Sequence, residues 1–283
     1  MKILLNKESG LMLDSLDNNT GHALGIFASS GSGKFYTAMY VAERILGKSV
    51  NDNSPELHIV RPTEKSTITI EQARGVIGFL KLKGNIRSSL GRIVIIDNAH
   101  LMTSEAQNAL LKTLEEAPTD ALIIITASDT NNLLPTIISR LQILNLRPVR
   151  KSDALDFFGD AAKTTDFERA WKISGGRVGL MAALIEDKEH PLLPTIEEAK
   201  LFLAMDQFER LCSIDKLSKL NVRQFIDALQ LVSDAAFKQS NKSANSRQLR
   251  SWHKIRNAAF QANDDLKRNV HTKLTLSNLI LNI

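Results

Sequence analysis

Short apolar runs alternate with amphipathic stretches over the first half of the chain. Continuous runs rich in β-branched residues predict strands that are buried on both faces of a parallel sheet. These runs lie at 93–97 and 121–127, and the short segments 24–28 and 57–60 are further strand candidates. Apolar residues recur at helical spacing at 37–46, 68–80 and 104–116. The alternation continues to about residue 146 and predicts an α/β unit with helices on both faces of the sheet.

The second half of the chain has a different pattern, which predicts helices alone. Helical segments are predicted at 153–159, at 167–174 and from 196 to 283, with a break at Gly175–Gly176 and a proline-bearing linker at 190–194. The sequence therefore predicts three domains, which are an α/β domain at 1–147, a small helical domain at 148–194 and an all-α domain at 195–283.

The helix predicted at 104–116 carries both a start signal and a stop signal. Ser104 with Gln107 three residues later predicts a capping box, in which each side chain accepts a hydrogen bond from the backbone N–H of the other residue. Pro118 ends the helix because proline disfavours a helical conformation in the residue before it.

Composition excludes several classes of protein. Hydrophobic residues make up 43% and charged residues 24%, which is typical of a globular chain and not of a disordered one. The single cysteine, Cys212, excludes internal disulfides and a cysteine-based zinc site, and a buried thiol is the default expectation for it. No apolar run has the length of a membrane span, and no signal peptide is expected, so the cytoplasm is the expected location.

The glycine-bearing segment ASSGSGKFYTA at 28–38 lies between a predicted strand and a predicted helix, as a phosphate-binding P-loop does. Gly31, Ser32 and Gly33 would let backbone N–H groups face a phosphate, and Lys34 would add a positive charge. Phe35, however, stands where a hydroxyl group should bind Mg²⁺, so no metal site is predicted. The alternative is a plain glycine turn that joins strand to helix.

Asp97 ends the apolar run at 93–97 and is the candidate carboxylate of the same nucleotide site. Asn98 follows it, and an amide can orient a water molecule but cannot accept its proton. The alternative for Asp97 is an acid that caps the following helix.

The order of these segments resembles one family in particular. HALGIFASSGSGK at 22–34, DNAHLMTSEAQNALLKTLEEAP at 97–118, TIISRLQ at 136–142 and NVHTKLTLSNLILNI at 269–283 are similar to segments of the delta-prime branch of the clamp-loader ATPases of bacterial DNA replication. The resemblance covers most of the chain. It implies an α/β P-loop (AAA+) domain with a parallel sheet, followed by a small helical lid domain and an all-α collar domain.

The resemblance also implies roles for individual residues. Ser139–Arg140 would carry an arginine finger that acts in the ATP site of a neighbouring subunit, although Leu141 replaces the cysteine of the family motif. Asn98 stands where hydrolysing members have glutamate. Gly179 stands where active members have the sensor-2 arginine, and Arg177 is two positions out of register. The cysteine-bearing zinc module of many members is absent, because residues 46–56 contain no cysteine.

The function implied by the resemblance is that of a scaffold without its own ATPase activity. The partners would be gamma/tau-type ATPase subunits and a delta subunit, bound through the collar, with the sliding clamp and primer-template DNA reached through the assembled complex. Two alternatives stay open: an active ATPase motor subunit with Thr37 as the substitute hydroxyl, and a protein that binds ATP or ADP without hydrolysis. The net charge of +5 is compatible with DNA contact, but the basic residues of 247–273 read as a solvated collar face.

Overall fold

The computed structural model describes residues 2–16, 21–63, 67–81, 91–128, 130–159, 165–186, 190, 192–242, 246–268 and 270–283. The chain divides into two compact units, Met1–Asp153 and Ala154–Ile283, and each unit is described by itself.

The first unit is built on a parallel sheet of five described strands. The elements are α1 (Lys7–Leu16), β1 (Ala23–Phe27), α2 (Lys34–Leu46), β2 (Leu57–Val60), α3 (Ile70–Lys81), β3 (Arg92–Ile96), a 3₁₀ turn (Ala99–Leu101), α4 (Ser104–Glu115), β4 (Ala121–Ala127), α5 (Pro135–Ile138) and β5 (Gln142–Asn145). The strand order is β2-β3-β4-β1-β5, and every pairing is parallel.

Apolar side chains cover both faces of this sheet. On β3, Ile93 and Ile95 pack into one cluster with the apolar side of α2, whereas Val94 and Ile96 pack into another with α3 and α4. Successive strand residues point to opposite faces, so a strand that is covered on both sides needs apolar residues throughout. This is why β3 and β4 read as continuous apolar runs in the sequence.

The second unit is helical in all its described elements. Its helices are α7 (Thr165–Ser174), α8 (Val178–Ile185), α9 (Leu192–Ala204), α10 (Gln207–Cys212), α11 (Ile214–Leu217), α12 (Val222–Lys242), α13 (Ser246–Lys267) and α14 (Thr272–Leu281). The boundary between the units falls inside α6 (Lys151–Phe158). One cluster of buried side chains joins α8, α9, α12, α13 and α14, with Phe202 and Phe225 meeting edge to face at 5.3 Å.

The predicted fold class, an α/β unit with a parallel sheet followed by helices alone, is confirmed. The division into three domains stays a prediction. Several elements were not predicted, among them α1 and β5, and β5 has only four residues, of which one is buried.

Three local predictions were wrong. Ser104 does not cap α4: the N-cap is Thr103, whose side chain accepts a hydrogen bond from the Ala106 N–H at 3.2 Å. The predicted linker at 190–194 runs into α9, which begins at Leu192 and holds Pro194 in its first turn, where proline is tolerated. Cys212 is exposed, not buried.

Candidate functional site

The glycine-bearing segment forms a tight turn between β1 and α2. Gly31 and Gly33 have φ values of 80° and 85°, and the Ser32 N–H donates to the Ser29 carbonyl at 3.3 Å. Glycine adopts this left-handed conformation without the steric cost that a side chain would add. The local sequence thus dictates the P-loop shape, with Gly31, Ser32 and Gly33 directly before the first turn of α2.

Lys34 opens α2, but its side chain turns back into the loop. Only 7% of its surface is exposed. Its Nζ atom donates to the Ala28 carbonyl at 2.8 Å and to the Ser29 carbonyl at 3.3 Å. These carbonyls solvate the buried ammonium group, so Lys34 must exchange them for phosphate oxygens if a nucleotide binds.

The residues at the metal position do not fit Mg²⁺. The Phe35 ring has no oxygen to donate, and the Arg61 guanidinium lies over it, 4.7 Å from the ring centroid. Arg61 is held there by an ion pair with Asp52, with Nη1 2.7 Å from Oδ2. A cation–π contact at this place sets a fixed positive charge beside the ring. The Thr37 hydroxyl, the substitute considered above, donates to the Gly33 carbonyl at 3.0 Å inside α2.

Asp97 follows β3 and is tied to the adjacent strand β4. Its Oδ1 accepts from the Thr126 hydroxyl at 2.6 Å, and its Oδ2 accepts from the Asn98 side-chain amide at 3.1 Å. The Asn98 N–H also donates to the Thr126 hydroxyl, at 3.1 Å. Asn98 has a φ of 55°, a left-handed conformation that asparagine tolerates better than most residues. Thr126 was missed from the sequence, where its only signal is a polar residue within the apolar run ALIIITA.

Arg140 lies on the exposed turn between α5 and β5. Its Nη2 atom forms an ion pair with Glu115 Oε1, at the end of α4, at 2.5 Å. Its Nη1 atom donates to the Thr136 carbonyl at 2.6 Å and lies 3.4 Å from the Ser139 hydroxyl. Glu115 was missed from the sequence, where it stands among the charged residues that end the predicted helix.

The sheet separates Arg140 from the P-loop. The P-loop follows the end of β1 and Asp97 follows the end of β3, so both lie at the carboxyl edge of the parallel sheet. Arg140 precedes β5, whose first residue Gln142 pairs with Leu24 near the start of β1. At about 3.3 Å per residue, the paired strands alone separate the two edges by about 10 Å. Arg140 therefore cannot be part of the same site as Lys34.

Gln107 is a further residue whose role sequence analysis mistook. Its side chain is buried and does not cap α4. Its Oε1 accepts from the Leu134 N–H at 2.8 Å, and its Nε2 donates to the Asn132 carbonyl at 2.9 Å. Gln107 thus fastens α4 to the segment that leads into α5.

In the second unit, Gly179 lies in the first turn of α8 and offers no side chain. Arg177 precedes this helix and lies near two carboxylates of α12. Burial lowers the pKa of the Arg177 guanidinium, and the charges of Asp227 and Asp234 oppose that shift. Arg177 is therefore a cation placed among acids within its own unit.

The basic stretch at 247–273 is partly neutralised within the second unit. Arg256 pairs with Asp234 at 2.8 Å and lies over the Phe237 ring at 5.4 Å, and Lys273 pairs with Asp215 at 2.6 Å. In the described residues no cluster of three or more metal-binding side chains was found. No helix within the described ranges is long and apolar enough to cross a membrane.

Several known proteins similar to this chain are DNA polymerase III subunits. The family model described as "DNA polymerase III, delta subunit" matches residues 11–150. The Bacillus subtilis DNA polymerase III subunit delta' is 28% identical over 156 residues, or 50% of this chain and 46% of that protein. The Buchnera aphidicola subsp. Schizaphis graminum DNA polymerase III subunit gamma is 25% identical over 296 residues, or 86% of this chain and 75% of that protein.

Among solved structures, the chain is similar to a DNA polymerase III gamma subunit-related protein from Thermotoga maritima. The TM-score is 0.55 at 17% identity, over 97% of this chain and 98% of that one, a likeness that shows the fold alone. The chain spans less than half of the length of the first curated relatives that it matches.

Proposed function

Because this chain is a member of the clamp-loader AAA+ family, we propose that it is a delta-prime-like subunit of a DNA polymerase III clamp loader. In this proposal it is a scaffold that supplies Arg140 to the ATP site of a neighbouring ATPase subunit while the sliding clamp is loaded onto primed DNA. Its partners are gamma/tau-type ATPase subunits and a delta subunit, held through residues 195–283, and its location is the cytoplasm.

The observation that carries this proposal is the position of Arg140. The residue lies at the opposite edge of the sheet from the P-loop of its own chain. It stands on an exposed turn, with about a third of its side chain open to solvent. An arginine finger stabilises the charge that develops on a transferred phosphoryl group, and it can be supplied by another protein chain. The position of Arg140 therefore suits a role in the ATP site of a neighbouring subunit.

The chain's own P-loop supports the scaffold role because two of its positions cannot perform hydrolysis. Phe35 offers no metal ligand and is covered by Arg61. Asn98, beside Asp97, has no basic group to accept a proton from water. These departures affect the metal and the base separately, so reversing either one alone leaves the other step without its group.

The experiment is Arg140→Ala in a clamp loader reconstituted with the ATPase and delta subunits. We expect hydrolysis at the one ATP site that faces Arg140 to fall by about 10³-fold, the lower end of arginine-finger effects. Total DNA-stimulated turnover then falls by the share of that site, while size-exclusion chromatography shows an intact complex.

The matched control is Arg147→Ala. Arg147 is also exposed and also forms an ion pair, with Glu8 at 2.6 Å. Loss of turnover in both variants, or in neither, would contradict the proposed role of Arg140.

A second candidate function is nucleotide binding without hydrolysis, which the left-handed Gly31 and Gly33 and the neighbouring Lys34 favour. On this account ATP or ADP binds the isolated chain with the same affinity with and without Mg²⁺, because Phe35 removes the metal ligand. Lys34→Ala should weaken binding by at least about 10-fold, the loss of one charge-assisted hydrogen bond. Calorimetry measures both quantities. Mg²⁺-dependent hydrolysis by the isolated chain would instead support the ATPase motor alternative.

A further inference from the structure

The Arg140 side chain is fixed by contacts on both sides of its guanidinium group. Nη2 pairs with Glu115 at 2.5 Å, and Nη1 donates to the Thr136 carbonyl at 2.6 Å. A guanidinium group has five N–H donors in a planar fork, so these two bonds leave donors for a third partner. The group is thus held by its own chain while it can still bind an anion.

The Glu115 carboxylate stands on a well-supported element. It is the last residue of α4, whose Leu110 and Leu114 are buried in the core below the sheet. Gln107 of the same helix bonds the Leu134 N–H and the Asn132 carbonyl, just before α5. One helix therefore anchors both the segment that leads to Arg140 and the carboxylate that holds its side chain.

An unrestrained arginine on an exposed turn would have many rotamers. About 2 kcal/mol of rotamer entropy is associated with such a side chain, and it opposes any contact that needs a single conformation. An acceptor that already holds the guanidinium group in place removes part of this cost before the phosphate arrives. Positioned groups react faster because less disorder has to be lost during the reaction.

We propose that Glu115 is a positioning residue that holds Arg140 extended and oriented for the ATP site of the neighbouring subunit. The proposal rests on the proposed function of Arg140 and adds to it a residue that touches neither nucleotide nor metal. The ion pair is partly exposed, with 33% of the Arg140 side chain and 47% of the Glu115 side chain open to solvent. Pairs of this kind have modest effects, so the expected change is about 2- to 5-fold.

The experiment compares variants of this chain in the reconstituted clamp loader with the ATPase and delta subunits. Glu115→Gln keeps the shape of the side chain and removes its charge. We expect it to lower the kcat at the ATP site that faces Arg140 by about 2- to 5-fold with no change in KM, because orientation of the finger matters in the transition state only. The matched control is Glu116→Gln, which removes another exposed charge one residue further along.

Two readouts separate positioning from a structural role. The double variant Glu115→Gln with Arg140→Ala should have the same kcat as Arg140→Ala alone, since Glu115 acts only through that arginine. The kcat ratio of wild type to Glu115→Gln should also shrink as ionic strength rises, because salt screens an exposed ion pair. A general loss of folding would instead lower the kcat of the double variant below that of Arg140→Ala, and it would not make the kcat ratio depend on salt in this direction.

The possible results are distinguishable. A normal kcat for Glu115→Gln, a raised kcat, or additive effects in the double variant would overturn the positioning role while leaving Arg140 as the finger. An equal loss in Glu116→Gln would overturn it as well, since charge alone would then explain the result. If Arg140→Ala itself has no effect, the proposed function fails and the inference fails with it.

Discussion

At the scale of single residues, the two side chains that depart from a working nucleotide site, Phe35 and Asn98, both make contacts with the residues around them. The Phe35 ring packs beside the buried cluster under α2 and stacks with Arg61, whose ion pair with Asp52 keeps it there. Asn98 suits the left-handed backbone it occupies, and its amide bonds Asp97. A change of Phe35 to threonine alone would therefore remove packing while the Asp97 carboxylate remains engaged by Thr126 and Asn98.

His58 on β2 provides a prediction about pH at the same scale. Its ring stacks on Phe79 at 5.2 Å, and burial lowers the pKa of His58 below its ordinary value. The unfolded chain then binds a proton more readily than the folded one. The stability that depends on neutral His58 is present above about pH 6.5 and is lost as the pH falls through the folded pKa.

We expect wild type to lose more stability between pH 7.5 and pH 5.5 than His58→Phe, which keeps the ring stacking but cannot titrate. Urea unfolding followed by circular dichroism at the two pH values measures the difference. His22 is exposed, so His22→Gln should follow wild type. Parallel pH responses in wild type and His58→Phe would contradict the prediction.

The candidate residues that could be named from the sequence belong to local motifs. Gly31, Gly33 and Lys34 adjoin one another, and Asp97 directly ends an apolar run, so spacing alone identifies them. Their neighbours could not be found in this way. Thr126, Arg61 and Glu115 act through contacts between segments that are far apart in the chain, and only the folded structure brings those segments together.

At the scale of elements, the strands buried on both faces were the easiest to predict. β4 begins and ends where its apolar run does, because burial on both faces favours apolar residues along nearly the whole strand. β5 lies at the edge of the sheet with only Leu144 buried, so its sequence QILN carries no strand pattern. The short strand is paired with β1 all the same, and that pairing places Arg140 at the amino edge of the sheet.

The ends of helices depend on single residues, and the hydrophobic pattern does not distinguish between neighbouring candidates for them. Thr103 and Ser104 are both good N-cap residues, and only the observed bond to the Ala106 N–H selects Thr103. Pro194 indicated a linker, but proline lacks only an N–H that the first turn of a helix does not use. Leu192, which begins α9, is fully buried, so the packing of that turn outweighs the proline signal.

At the scale of the whole molecule, the helical second half shares one core. Leu180 of α8 and Ile196 of α9 belong to the same buried cluster as the residues of α12, α13 and α14. The predicted division places Leu180 in a lid domain and Ile196 in a collar domain. A shared core predicts instead that these parts stabilise each other, and this difference can be measured.

Two fragments test whether the second half folds as one unit. The fragment 165–283 contains the whole cluster, whereas 192–283 lacks α7 and α8 and so loses the fully buried Leu180 and the partly buried Ile173 and Leu184. Burying one such side chain is worth about 1.5–3 kcal/mol. We therefore expect the shorter fragment to be less stable by at least about 3 kcal/mol, as measured by urea unfolding at 222 nm. Equal unfolding midpoints would show that α7 and α8 add nothing to the collar, and would support a separate lid domain.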